Sequence, residues 1–196
     1  MLEPAVFGVY GNSDTGKTTL LVELVKQLTA KKYKVATIKQ TNKAITLDTE
    51  KKDTWRHHEA GATLTVFSST VETDFLVHKP MTAAAMVQRI TDFDFYDVVL
   101  IEGVDDPQVK KIQVGAGEQR TNTICRYDNN LETVLLTIED EVKNHPQDRK
   151  LRITVNGRHI PLTEFPEEFI TNTLEGMLQS LKGVERIETV SIHLKK

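Results

Sequence analysis

An apolar hexapeptide, Ala5–Tyr10, runs directly into Gly11-Asn12-Ser13-Asp14-Thr15-Gly16-Lys17-Thr18, and this junction restricts the possible folds more than any other stretch of the chain. The octapeptide fits the pattern Gly-x-x-x-x-Gly-Lys-Ser/Thr, a loop whose backbone N–H groups surround phosphate oxygens. Glycines let the backbone close on an anion, and a helix that follows aims its positive end at it. Lys17 sets a point charge against the β- and γ-phosphate oxygens, and Thr18 offers its hydroxyl to Mg²⁺. With glycine at about 7% of residues, a random chain of this length meets the pattern on the order of one time in a hundred. An apolar strand before the loop and a helix after it make coincidence rarer still. The stretch therefore predicts a strand–loop–helix unit holding a nucleoside triphosphate, with Gly11, Asn12, Ser13, Asp14, Thr15, Gly16, Lys17, Thr18 and Thr19 around the phosphates.

The remaining pattern extends that unit into an α/β chain. Leu20, Leu21, Leu24, Val25 and Leu28 fall at helical spacing, and residues 34–38 make a second strand, completing a βαβ unit. Residues 40–52 are polar and without period, so they read as a loop. A short helix over 53–61, strands over 63–68 and 74–77, and a helix over 82–90 follow. Residues 97–103, Asp-Val-Val-Leu-Ile-Glu-Gly, form the clearest buried strand, apolar in its middle and acidic at both ends. Strands over 111–114 and 123–127 and a helix over 131–142 complete this part.

A phosphate-bound Mg²⁺ calls for an acidic group at the end of a neighbouring strand. Glu102 stands at that end of the 97–103 strand, whereas Asp97 is about 16 Å away at the other. Lys17 and Glu102 are thus the expected catalytic pair, with Thr18, Glu102 and Asp48 as metal ligands. Lys39, just past the second strand, is expected to meet phosphate or a second anion, Asp48 and Asp53 to lie in a segment able to reach the γ-phosphate where either could ligate metal, and Arg56 to offer a contact to phosphate. His57 and His58 are adjacent on a helix, so they point about 100° apart and suit packing or hydrogen bonding better than one metal ion.

The polar run 144–150 marks a boundary, giving a nucleotide-binding domain over 1–148 and a small unit over 149–196. In the latter, Asn156-Gly157 between two short strands is a hairpin signal, Pro166 opens a helix that Gly183 caps, and Val190, Ile192 and Leu194 alternate as a strand. A ββαβ unit this small is expected to pack on the main domain or on a partner chain. A net charge of −3 supplies no field that would draw the chain to nucleic acid or to an anionic membrane. No apolar run approaches the ~18 residues needed to span a bilayer. One cysteine, Cys125, forms no intrachain disulfide and reads as an inert thiol. With no basic-then-apolar leader at residues 1–4, the expected location is the cytoplasm.

These blocks carry a resemblance. Residues 11–19 with Leu20-Leu21, Val35-Ala36-Thr37-Ile38-Lys39, Lys52-Asp53-Thr54-Trp55-Arg56-His57, Glu59-Ala60-Gly61-Ala62 and Val99-Leu100-Ile101-Glu102-Gly103 are similar, in order and spacing, to the MobB family over residues 5 to about 115. The Lys-Asp-x-x-Arg-His…Ala-Gly-Ala block is the specific part. Two places depart from the family pattern: Thr41-Asn42-Lys43, where a threonine and paired histidines are usual, and Val109-Lys110-Lys111-Ile112-Gln113, where Pro-Lys-Ile-Glu is usual. The resemblance implies a homodimeric P-loop NTPase fold, a mostly parallel sheet flanked by helices with the small C-terminal ββαβ unit appended. It implies GTP and Mg²⁺ as cofactors and a slow Mg-dependent GTPase acting as an accessory protein of molybdenum-cofactor (molybdopterin guanine dinucleotide) biosynthesis. The implied partner is the molybdopterin guanylyltransferase or another assembly protein of that cofactor. Guanine itself comes from the resemblance alone, since no Asn-Lys-x-Asp run is present. Two other functions fit a P-loop chain: a small-molecule kinase or ATP-driven ligase, and a nucleotide-bound scaffold that needs no hydrolysis.

Overall fold

The apolar strands lie side by side in the computed structural model, which describes residues 4–144, 151, 153–155, 158–160, 162–184, 187, 190 and 192. In chain order the elements are β1 (Ala5–Tyr10), α1 (Lys17–Ala30), β2 (Val35–Lys39), α2 (Asp53–Glu59), β3 (Leu64–Ser68), β4 (Thr73–Val77), α3 (Ala83–Phe93), β5 (Val98–Glu102), β6 (Lys110–Val114), β7 (Thr123–Tyr127), α4 (Leu131–Asn144), β8 (Ile153–Val155), β9 (Arg158–Ile160) and α5 (Glu164–Gln179). Five strands form one parallel sheet in the order β2-β5-β1-β6-β7, and β3–β4 and β8–β9 are separate antiparallel pairs.

Helices on both faces explain why β5 is apolar as far as Ile101. On one face Leu20, Leu21, Leu24 and Leu28 of α1 and Val134, Leu135, Ile138 and Val142 of α4 pack with Phe7, Val9, Val98, Leu100, Ile112 and Val114. On the other, Ala83, Met86, Val87 and Ile90 of α3 pack with Ile38, Val99, Ile101, Val104 and Val109. Alternate β5 side chains thus enter opposite cores, and each fully buried aliphatic contributes about 1.5–3 kcal/mol. Thr82 starts α3 by accepting the Ala85 N–H at 3.2 Å. Among the described residues no helix is long and apolar enough to cross a membrane.

Several boundaries differ from the sequence expectation. β2 runs one residue further, because Lys39 still pairs in register with Glu102. α3 continues to Phe93, whose ring leans on Phe75 at a centroid distance of 5.1 Å. α5 begins at Glu164, so Pro166 sits inside its first turn, where a missing N–H costs no helical bond. The helix ends at Gln179 with Ser180 as its C-cap, and Gly183 (φ 96°) lies beyond that cap rather than forming it. Of the expected ββαβ unit, the pair β8–β9 and α5 are present. Val190 and Ile192 belong to no strand among the described residues, and Leu194, Asn156, Gly157 and the boundary residues 145–150 lie outside them.

Candidate functional site

The carboxyl end of the sheet is built where β1 turns into α1. Gly11 is required there: a Cβ on it would lie 2.2 Å from the Val114 carbonyl oxygen of the adjacent strand. Asp14 (φ 59°) and Gly16 (φ 91°) fold the loop back, and Gly16 serves as the N-cap of α1. Among the described residues no side chain caps that helix and none in its first turn is acidic. The ladder begins with Leu20 N–H to Gly16 O, so the amides before it lack helical acceptors and give the loop anion-binding capacity. Inside the loop, the Thr15 hydroxyl donates to Asn12 O at 2.9 Å and the Lys17 ammonium donates to the same carbonyl.

Strand register then brings an acid to the loop. Glu102 is the register partner of Val9 on one side and of Lys39 on the other, so three segments far apart in sequence meet at one level. The Thr18 hydroxyl donates to Glu102 Oε1 at 2.9 Å, and the Lys39 ammonium pairs with that same oxygen. Only 8% of the Glu102 side chain is exposed, against 64% for Lys39. Burial pushes this carboxyl up, but the hydrogen bonds from Lys39 and Thr18 and the charges of Lys39 and Lys17 outweigh it and hold the group below the usual carboxylate range. Gly103 makes the exit turn from β5 at φ 85°, with its α-carbon face against Gln40 O, where a Cβ would come within 2.4 Å. Asp97 is at the opposite end of β5, accepting the Lys34 N–H at 2.6 Å.

The other expected acids and bases are placed elsewhere. Asp48 accepts the Thr54 hydroxyl at 2.8 Å and makes no described contact with Thr18 or Glu102. Asp53 and Arg56 form an exposed pair on α2, 3.7 Å apart, and touch neither. His58 stacks on His78 of the residue run after β4, with ring centroids 3.7 Å apart, and His78 shares a 3.0 Å hydrogen bond with Thr65, so this block docks α2 on the β3–β4 pair. Cys125 is half-buried, and burial raises its thiol's pKa, which fits an inert group.

Three groups on the β6 side went unforeseen. The Tyr10 hydroxyl accepts the Arg120 N–H at 3.0 Å and bonds Thr123 at 2.8 Å, while the Arg120 guanidinium lies 4.9 Å over the Tyr10 ring and donates to Val104 O. The buried Gln113 donates to Gly117 O at 3.0 Å, bracing the loop beside Thr15. The Lys111 ammonium, also buried, donates to the carbonyls of Asp106, Val109 and Thr121, tying two crossover loops together. Their only sequence signal is polarity inside or beside apolar strands, which does not say what they touch. A groove of about 430 Å³ between α3 and residues 106–110 is lined by Pro4, Ala5 and Phe7, placing it at the opposite end of β1 from the loop.

With this geometry in hand, likeness to known proteins becomes informative. Residues 6–138 match the family model described as molybdopterin guanine dinucleotide synthesis protein B (MobB). A candidate molybdopterin-guanine dinucleotide biosynthesis adapter protein of Methanocaldococcus jannaschii is 26% identical, the match covering 96% of this chain and 97% of that protein. That match therefore continues past residue 138 into the C-terminal segment. The molybdopterin-guanine dinucleotide biosynthesis adapter protein of Haemophilus influenzae is 32% identical, over 55% of this chain and 61% of that protein. Among solved structures, Bacillus subtilis MobB superposes with a TM-score of 0.54 at 17% identity, covering 68% of this chain and 97% of that one, a likeness of fold.

Proposed function

The chain belongs to the MobB family, and on that premise we propose that it is a GTP-binding adapter of molybdopterin-guanine dinucleotide biosynthesis with slow, Mg²⁺-dependent GTPase activity. The observation that carries the reading is the 2.9 Å contact between Thr18 and Glu102, which joins the phosphate loop to the end of β5. The hydroxyl and the carboxylate are both hard oxygen donors, the set Mg²⁺ prefers over softer metals' nitrogen and sulfur ligands.

Thr18 and Glu102 would hold the ion, which when bound neutralises charge on the phosphates. Lys17 would leave Asn12 O for the β- and γ-oxygens, a short swing of a flexible side chain. The amides of the loop and of the first turn of α1 would orient the phosphate chain. These residues supply charge and position. Arg120, in the loop after β6, is tied to Val104 O and Asp105, and among the described residues no general base is held against Glu102 or Thr18. Slow turnover by the isolated protein follows, with a partner of the same pathway able to supply what is missing.

The reading also includes a homodimer, supported by the outer face of the β3–β4 pair. Leu64, Val66, Phe75 and Val77 stand there in register and between 42% and 49% exposed. Calorimetric titration with GTP and with ATP, each with and without Mg²⁺, tests the central claim. GTP is expected to bind at least about tenfold tighter than ATP and to depend on Mg²⁺. Preference for ATP, or turnover above about 1 s⁻¹ by the protein alone, the range of dedicated kinases, would overturn it.

A further inference from the structure

Glu102 is a buried carboxylate at the spot where a cation is needed, and a buried carboxylate left without a counter-charge is costly. Lys39 supplies that charge. Its ammonium meets Oε1, the same oxygen that takes the Thr18 hydroxyl. Lys17 adds its charge from a distance, but its ammonium is hydrogen-bonded to Asn12 O within the loop, so Lys39 is the direct partner. The backbone fixes the arrangement: Lys39 and Glu102 are register partners on adjacent parallel strands, one strand spacing of about 4.8 Å apart.

We propose that Lys39 is a stand-in cation for Glu102, a positioning residue that holds the carboxylate while no divalent ion is bound, yields it to Mg²⁺, and passes to the terminal phosphate. The proposal rests on the GTP·Mg²⁺ reading above and adds a role to it. Two positive charges on one carboxylate oxygen repel, so Mg²⁺ and the ammonium compete for it. Lys39 is the partner able to leave, being mostly exposed on a flexible four-carbon stem, whereas Thr18 is fixed in the first turn of α1. With a nucleoside triphosphate on the loop, the terminal phosphate would be the anion open to a displaced Lys39. Lys39 is also the last residue of β2 before the 40–52 loop, where the next N–H, from Gln40, donates to Glu102 O at 2.9 Å. Side-chain acceptors in that loop are incompletely used: Gln40 Oε1 and Asp48 Oδ2 are buried without a hydrogen-bond partner among the described residues. Exchange at Lys39 therefore reports metal and γ-phosphate to a loop poised to rearrange.

The test uses the full chain as wild type, Lys39→Met and Lys39→Arg. Mg²⁺ is titrated in the presence of saturating GDP, which has no terminal phosphate, and GTP and GDP affinities are measured at saturating Mg²⁺. Lys39→Met is expected to bind Mg²⁺·GDP about three- to tenfold more tightly in Mg²⁺ than wild type, because the competitor is gone, while its preference for GTP over GDP falls by about as much. Lys39→Arg, which keeps the charge, is expected to lie near wild type in both. A lysine that merely supports the fold would lower both affinities, and one that merely binds phosphate would leave Mg²⁺ affinity with GDP unchanged; either result overturns the proposal while the GTP·Mg²⁺ reading stands. Failure of wild type to bind GTP with Mg²⁺ overturns both.

Discussion

β5 and the β3–β4 pair are both short, both rich in large apolar residues, valine, leucine and isoleucine in the first and valine, leucine and phenylalanine in the second, and treated oppositely by the fold. Every residue of β5 is buried, including Glu102 at its end. In β3 the buried residue is Thr65, while Leu64, Val66 and Phe67 are exposed. The difference is one of layers. β5 is central in a parallel sheet with α1 and α4 on one face and α3 on the other, so both of its faces have somewhere to go. The antiparallel pair has α2 packed on one side, and on the other its cross-strand partners Leu64–Val77 and Val66–Phe75 stay nearly half exposed, with the Phe93 ring of α3 leaning on Phe75. Apolar composition proposes a strand. Burial depends on what the rest of the chain stacks against it.

The contrast can be broken by deletion. Leu100→Ala in β5 should cost about 3 kcal/mol in urea unfolding, because the packed cavity cannot collapse fully; a loss below about 1 kcal/mol would show the sheet is less tightly layered than described. Next in size, Lys17→Ala should weaken GTP·Mg²⁺ binding by about 100-fold in calorimetry, roughly 2.7 kcal/mol, while leaving the oligomeric state untouched. The reverse pattern is expected for Val66→Asp with Phe75→Asp. Sedimentation should show the dimer dissociation constant rising at least about tenfold with GTP affinity within about twofold, since charge is being forced into an apolar contact far from the loop. If that variant stays dimeric, the outer face of β3–β4 is not the interface.

The smallest effect concerns acid. Glu102 is held below the ordinary carboxylate range in the fold, so the folded protein binds fewer protons there than the unfolded chain does. Its contribution is therefore complete above about pH 5 and is lost as pH falls through and below about 4. The stability advantage of wild type over Glu102→Gln should shrink over that window in unfolding curves taken from pH 7 to pH 3. A difference that does not change with pH would mean that the Lys39 and Thr18 contacts do not favour the charged form.

Much of the frame was legible because it depends on local pattern. A glycine-bounded phosphate loop, an apolar run before it and a leucine stripe after it are each recognisable within one window, and the structure puts β1, α1, β5 and α4 where those patterns lie. Glu102 was readable as a strand-end acid for the same reason. Lys39 was readable as a cation near the site and not as the partner of Glu102, because 63 residues separate them and only the order β2-β5-β1 makes them neighbours. Asp48, Asp53 and Arg56 looked equally eligible on paper. The fold holds Asp48 to Thr54 and leaves the other two exposed on α2.

By itself, then, the sequence determined the kind of loop, the chemistry it can offer to a phosphate chain and the family to which the chain belongs, since each is written in contiguous residues with restricted geometry. The tertiary structure alone decided that Thr18 and Lys39 meet one and the same oxygen of Glu102, that Gln113, Tyr10 and Arg120 brace the β6 side, and that the apolar face of β3–β4 stays nearly half exposed. Those outcomes follow from strand order and register. Both are set by how whole layers bury their apolar faces, a sum over the chain that no single window contains.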